Sequence, residues 1–298
     1  MKSRKNLVSI IINCYNGEKY LKEALLSIKA QTYKNWELIF WDNRSTDNSV
    51  KILKSLKIKN LKYFLSKKHT SLYEARNLAI KKTKGKYIGF IDVDDLWEKN
   101  KLKQQIKLFN DEKTIVVYGN SWLKNEKNNK KKKFINYDVK SGYIYKDLIE
   151  KYNVGILTSL IKKSLLKKSK VNFDNKYDII GDYDFFIRLS KKYKFQFIKE
   201  PVATYRIHQE NLSFLKKEKQ IKEFFYWIKK NKKKLTKEDY LKIMKKIYKL
   251  EFINLRLTKS FFNSLLYFIK FIDHVFSFKN IIILLTPSYL LKKLMWFV

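Results

Sequence analysis

The stretch Tyr87–Asp95, YIGFIDVDD, decides the reading of this chain. Tyr87–Ile91 carries no charge and fits a short buried strand. Asp92, Asp94 and Asp95 follow at once. A strand ending in clustered carboxylates suits a divalent cation. Hard ions such as Mg²⁺ and Mn²⁺ take oxygen ligands, commonly one or two carboxylates completed by substrate phosphates. A turn cap explains one such acid easily, and three on an apolar strand poorly.

Working outward, Leu7–Ile12, Trp36–Trp41 and Leu61–Leu65 read as three earlier strands. Between them, Tyr20–Ala30 places Leu21, Ala24, Leu25 and Ile28 at helical spacing, and Asp47–Leu56 opens in a Ser-Thr-Asp-Asn capping cluster. Ser71–Lys82 is a third helix, and Gly85 ends it before the Tyr87 strand. Strands alternating with helices predict an α/β fold with a mixed, mostly parallel sheet flanked by helices. Ligands of such sheets sit beyond the carboxyl ends of the strands. Asn13 ends the first strand, Asp42 and Asn43 the second, and Asp92 the fourth, so three polar clusters are expected on one edge.

Downstream, Ile115–Tyr118, Ile156–Ile161 and Val202–Ile207 read as strands, with a helix from about Asp182 to Tyr193. Asn125–Lys133 reads as a solvated loop or hairpin tip. From Lys216 the composition turns to Lys alternating with Phe, Tyr, Ile and Leu, without Gly. The expected organisation is a catalytic domain over 1–214 and a Lys-rich helical extension over 215–298.

These motifs resemble family 2 glycosyltransferases, which have the GT-A (Rossmann-like) fold. VSIIINCYNGEKYLKEALLSIKAQTYKNWELIFWDNRSTDNS resembles the family's nucleotide-binding half, and EARNLAIKKTKGKYIGFIDVDD the approach to its metal motif. IIGDYDFFIRLS and YRIHQENLS resemble the later base-bearing helix and the strand that closes the site. The resemblance covers roughly residues 6 to 213. It implies metal-dependent transfer of a sugar from a nucleotide-sugar donor, UDP-linked first, to an acceptor hydroxyl with inversion. It also implies a role in cell-surface polysaccharide or lipid-linked glycan assembly.

The implied roles fall on definite residues. Asp94 is the first choice for direct ligation of Mn²⁺ or Mg²⁺; Asp92 suits the ribose and the ion's hydration shell, and Asp95 either task. Asp42 and Asn43 stand where the family has paired acids at the base and ribose, and the Asn43 carbonyl can still accept from a pyrimidine N–H. Asn13 and Tyr15 flank the same base, Tyr15 by stacking. Arg76, one of six Arg against 60 Lys, suits either a phosphate fork or an ion pair with Asp92. Asp182 matches the catalytic base, at a helix start that favours its ionised form, with Asp184 as competitor. His208 can complete the metal shell or donate to the diphosphate, with Arg206 beside it. His69 and His274 have no such context and are given no role.

The net charge of +38 admits three readings. Lys far outnumbers Arg, the residue that dedicated phosphate and base readers favour, so a nucleic-acid partner ranks last. Coding bias toward Lys, Ile and Asn ranks first, and an anionic membrane surface stands between. The rival to an enzyme is accordingly a polycationic nucleic-acid- or membrane-binding protein on a catalytically silent scaffold. A single cysteine, Cys14, rules out a disulfide framework. The sequence shows no secretory signal and no run of roughly 18 apolar residues. The expected location is cytoplasmic, at the inner face of the cell membrane, with the 260–298 tail either lying on lipid or capping the domain.

Overall fold

The computed structural model describes residues 6–211 and 215–294. The chain divides into two compact units. One runs to Leu148 and resumes over Tyr152–Arg206; the other takes in Ile149–Lys151 and continues from Ile207. The boundary expected near Phe214 falls in residues 212–214, outside the described ones.

The first unit is a mixed α/β layer structure. Its strands are β1 (Val8–Cys14), β2 (Trp36–Asp42), β3 (Leu61–Leu65), β4 (Tyr87–Phe90), β5 (Leu96–Trp97), β6 (Thr114–Asn125), β7 (Lys131–Lys133), β8 (Leu160–Lys162) and β9 (Lys194–Ile207). They form one sheet in the order β3-β2-β1-β4-β8-β6-β9-β5, with β7 paired to β6. The β3-β2-β1-β4 portion is parallel. The β4–β8, β6–β8, β6–β7 and β5–β9 pairs are antiparallel.

Sequence pattern explains most of this. β1, β2 and β4 are buried along almost their whole length and mainly apolar, as strands covered on both faces are. Helix α1 (Glu18–Lys29) buries Leu21, Ala24, Leu25 and Ile28, one face at 3.6-residue spacing. Its start is tied to the start of α2 (Ser49–Ser55): the Glu18 N–H donates to Asp47 at 2.8 Å, and Glu18 accepts from the Asn48 N–H at 2.9 Å. Helix α3 (Leu72–Lys82) is capped by Ser71, whose hydroxyl accepts from the Glu74 N–H. Helices α4 (Lys101–Ile106), α5 (Tyr145–Glu150), α6 (Lys163–Ser169) and α7 (Gly181–Ser190) follow.

The Asn125–Lys133 stretch is a hairpin tip, as one of the two expectations had it. The strand expected over Ile156–Ile161 begins only at Leu160. Ahead of it Gly155 accepts from the hydroxyls of Thr158 and Ser159, which holds 155–159 as a turn.

The second unit is helical, as expected from Lys216 onward: Lys217–Asn231, Lys237–Thr258, Phe261–Lys270, Ile272–Val275, Phe278–Leu285 and Ser288–Leu294. Thr236, Ser260 and Ser277 cap three of these, each hydroxyl accepting from the N–H three residues on. A small core of Phe252, Phe268, Val275, Ile283, Leu284 and Leu291 holds the last helices together. No helix among the described residues is long and apolar enough to cross a membrane.

Candidate active site

The carboxyl ends of the parallel strands meet at one edge. Cys14 pairs with Asp42 and Asp42 with Leu65. Phe90 pairs with Ile11, and the Ile91 N–H donates to Ile11 O at 3.1 Å, which carries Asp92 up beside the end of β1. Asn13, Tyr15, Asp42, Asn43 and Asp92 therefore lie on adjacent strand ends, as the sequence pattern predicts.

At this edge Asp42 is buried and held from two sides. Its Oδ2 accepts from the Tyr63 hydroxyl at 2.7 Å and its Oδ1 from the Ser45 N–H at 2.8 Å. Burial, then the Asp42 carboxylate, push the Tyr63 phenol up to about 12. Asn43 spends its whole amide on Thr70: Nδ2 donates to Thr70 O at 2.8 Å, and Oδ1 accepts from the Thr70 hydroxyl at 2.9 Å and the Thr70 N–H at 3.2 Å. The Asn43 carbonyl meets His69 Nδ1 at 3.1 Å, and the His69 ring stands edge-on to Tyr15 with centroids 4.3 Å apart. Tyr15 is 53% exposed, so its ring is buttressed by His69 yet open to solvent. Asn13 Nδ2 is buried with no hydrogen-bond partner in the protein.

A second group forms around Arg76, which α3 buries at 3% exposure. Its Nη2 donates to Asp92 Oδ1 at 2.8 Å and Oδ2 at 3.2 Å. Of the two readings of Arg76, the ion pair with Asp92 is the contact observed. Tyr73, Phe90 and Phe173 box the guanidinium at 5.5, 6.0 and 5.9 Å. Burial works against that charge, but Asp92, Tyr73 and Asp182 together hold Arg76 above its ordinary pKa.

Asp182 belongs to the same group. It sits in the first turn of α7 and its Oδ1 accepts from the Tyr183 N–H at 2.8 Å. Burial pushes its carboxyl up to about 6; Arg76 and the helix N–H groups oppose this, and Asp92 adds to it. The rival acid, Asp184, is buried and committed to Arg188, whose Nε and Nη2 reach Asp184 Oδ2 at 2.9 and 2.6 Å. Gly181 makes the arrangement possible: a Cβ there would lie 2.5–2.6 Å from the Tyr73 ring. Tyr73 in turn donates from its hydroxyl to Ile179 O at 2.8 Å.

The remaining acids and bases have distinct places. Asp94 is half-buried. Asp95 is buried, accepts from the Arg206 N–H at 3.0 Å, and is pushed well above the carboxylate range by burial and by Asp94 and Asp92. It latches the acid cluster to β9. The Arg206 side chain turns to Glu23 at 2.6 Å and Glu126 at 3.4 Å and lies 5.2 Å from the Tyr20 ring, so its observed partners are carboxylates of the protein. His208 belongs to the second unit, where its Nε2 lies 3.1 Å from Asn211 Nδ2 and its N–H donates to Asn211 Oδ1 at 2.7 Å. Among the described residues no three His, Cys, Asp or Glu side chains are arranged as a ready-made metal cage.

Two residues here were not reached from sequence. His69 supports Tyr15, and only its place just after β3 could have suggested it. Tyr152 has a buried hydroxyl without a partner, and burial and then Asp182 raise its phenol well above the usual range. It lies in the loop after α5, with no sequence pattern to mark it.

A Rossmann-like sheet whose first two strands end in Asn13, Asp42 and Asn43, with an acid cluster after its fourth strand and a helix-borne carboxylate, has the architecture of a GT-A glycosyltransferase. The chain belongs to glycosyl transferase family 2, whose sequence model matches residues 9–183. It is 33% identical over 223 residues to an uncharacterized glycosyltransferase of Methanocaldococcus jannaschii, covering 72% of this chain and 76% of that one. It is 32% identical over 172 residues to WfgD of Escherichia coli, a UDP-Glc:alpha-D-GlcNAc-diphosphoundecaprenol beta-1,3-glucosyltransferase, covering 58% of this chain and 66% of that one. The fold resembles S. aureus TarS with UDP-GlcNAc (TM-score 0.60, 18% identity, covering 90% of this chain and 81% of that one). It also resembles the mannosyltransferase PcManGT of Pyrobaculum calidifontis with GDP-Man and Mn²⁺ (TM-score 0.61, 14% identity, covering 97% and 83%).

Proposed function

We propose that this glycosyltransferase moves a sugar, with inversion, from a UDP-sugar to a hydroxyl of a lipid-linked glycan, with a divalent cation as cofactor. The observation that carries the reading is the Asp182–Arg76–Asp92 group. It sets a carboxylate with a pKa near neutrality beside the acids that end β4. WfgD's UDP-linked donor and diphosphoundecaprenol-linked acceptor support the substrate classes.

In this reading Tyr15 stacks on the base and the buried Asn13 Nδ2 donates to one of its carbonyls, while Asp42 lies level with the ribose. Asp182 accepts the acceptor's hydroxyl proton as that oxygen bonds to the anomeric carbon, and the bond from that carbon to the diphosphate breaks on the opposite face. General-base assistance of this kind contributes about 10²–10⁴-fold. Arg76 fixes the direction of the Asp92 carboxylate. The donor set fits a hard cation: Asp94 and Asp92 would hold it, leaving its other positions to phosphate oxygens and water. Such an ion supplies Lewis-acid stabilisation of the departing diphosphate.

The test is a titration of UDP with and without Mn²⁺, alongside transfer from UDP-sugars to a diphospholipid-linked acceptor. Asp94→Ala is expected to lose Mn²⁺-dependent UDP binding. Asp182→Asn is expected to keep that binding and lose transfer. Transfer undiminished in both variants overturns the proposal.

A further inference from the structure

Two helices of the second unit, separated by the short Ile272–Val275 helix, repeat one exposed pattern. On Phe261–Lys270 the most exposed apolar residues are Phe262, Leu266 and Ile269; on Phe278–Leu285 they are Phe278, Ile282 and Leu285. Both sets follow i, i+4, i+7 spacing, which confines each to a narrow stripe along its helix. All six side chains are between 49% and 79% exposed. The opposite faces are accounted for, since Phe268, Ile283 and Leu284 pack into the unit's small core. The stripes are therefore surplus to folding. Together they leave on the order of 600–700 Å² of apolar surface in water, more than a soluble monomer usually keeps without use.

What surrounds the stripes identifies what covers them. Lys259, Lys270 and Lys279 are exposed at or beside the ends of the two helices, and Asp273 is the single acid from Ser260 onward. Residues 215–298 hold 20 Lys and Arg against 6 Asp and Glu. Two copies of so basic a surface repel each other, whereas an anionic headgroup layer attracts it. Lys beside an apolar stripe keeps its ammonium among headgroups while its stem follows the acyl boundary. Neither helix can span a bilayer. We infer that the Phe262/Leu266/Ile269 and Phe278/Ile282/Leu285 stripes lie in the interface of an anionic lipid membrane and hold the enzyme there. This goes beyond the transfer reaction and stands without it, since it rests on the surface of the second unit and on none of the proposed site residues.

The test is flotation of the full chain with two kinds of vesicle: phosphatidylglycerol in an excess of phosphatidylcholine, and phosphatidylcholine alone. Binding to the first and much weaker binding to the second is expected. Ile269→Ser with Phe278→Ser should lower partitioning by about tenfold or more per residue, with an unchanged thermal transition because both side chains are exposed. Lys270→Glu with Lys279→Glu leaves the stripes intact and should weaken binding to the phosphatidylglycerol vesicles specifically. Mn²⁺-dependent UDP binding in solution should be unaffected in all variants, which separates this test from that of the transfer reaction. Three results overturn the inference. They are equal binding to both vesicle types, full binding by the Ile269/Phe278 variant, and a dimer in sedimentation that this variant disperses while the native chain ignores vesicles.

Discussion

Asp182→Asn tests the base assignment and its cost to the fold in one variant. In the native protein burial raises this carboxyl from 3.8 to about 6. A folded-state pKa above the unfolded one means that its favourable contribution is complete below about pH 4. That contribution is lost as pH rises through about 6. The shift of about two units corresponds to ~3 kcal/mol as a ceiling; partial exposure and the retained Tyr183 N–H bond bring the expected gain from Asn to about 1–2 kcal/mol. At about 2–4 °C per kcal/mol, Asp182→Asn should melt several degrees higher at about pH 7.5 and level with the native chain near pH 4. Transfer should fall by about 10²–10⁴-fold, and in the native enzyme kcat/KM should lose rate below about pH 6 as the base takes up its proton. Differential scanning fluorimetry over a pH series and a radiolabelled-sugar transfer assay read the two halves. Destabilisation of equal size at both pH values, or an acid limb unchanged in position with transfer intact, would refute the reasoning.

Three further outcomes follow from the same contacts. Gly181→Ala drives a Cβ into the Tyr73 ring and should cost about 1–3 kcal/mol, with a displaced acid limb in the pH–rate profile. Arg76→Met removes the partner of Asp92, whose side chain is 36% exposed and so is partly rescued by water; loss of about 1–2 kcal/mol in urea melts, together with weaker UDP binding, is expected. Lys101 is fully buried, hydrogen-bonds Gln105 and Thr158, and is held well below its usual pKa of 10.5 by desolvation, so stability is lost as pH falls from that usual value toward the lowered one. Lys101→Met should flatten the stability profile across that window, which chemical melts across pH will show.

The parallel half of the fold was legible because β1, β2 and β4 are buried on both faces and read as mainly apolar runs. The antiparallel half was less so. β9 begins eight residues before Val202, over Lys194–Pro201, where exposed Lys and Glu mask the strand. Helices α5 and α6 span only six and seven residues, with no apolar stripe long enough to register. At the site, chemistry types were readable and partners were not. Nothing in the sequence says that Arg206 turns to Glu23 and Glu126, because those residues are 183 and 80 positions away. The Arg188–Asp184 pair, by contrast, is local: Arg188 stands one helical turn beyond Asp184, a spacing visible in the sequence.

The Asn43–Thr70 clamp has a consequence for how this enzyme can vary. An aspartate at position 43 could still accept from Thr70, but it has no N–H to offer the Thr70 carbonyl, which would then face a second oxygen. Exchanging Asn43 for an acid is therefore not a neutral step in this protein, because the Thr70 end of the segment after β3 would have to shift to relieve two facing oxygens.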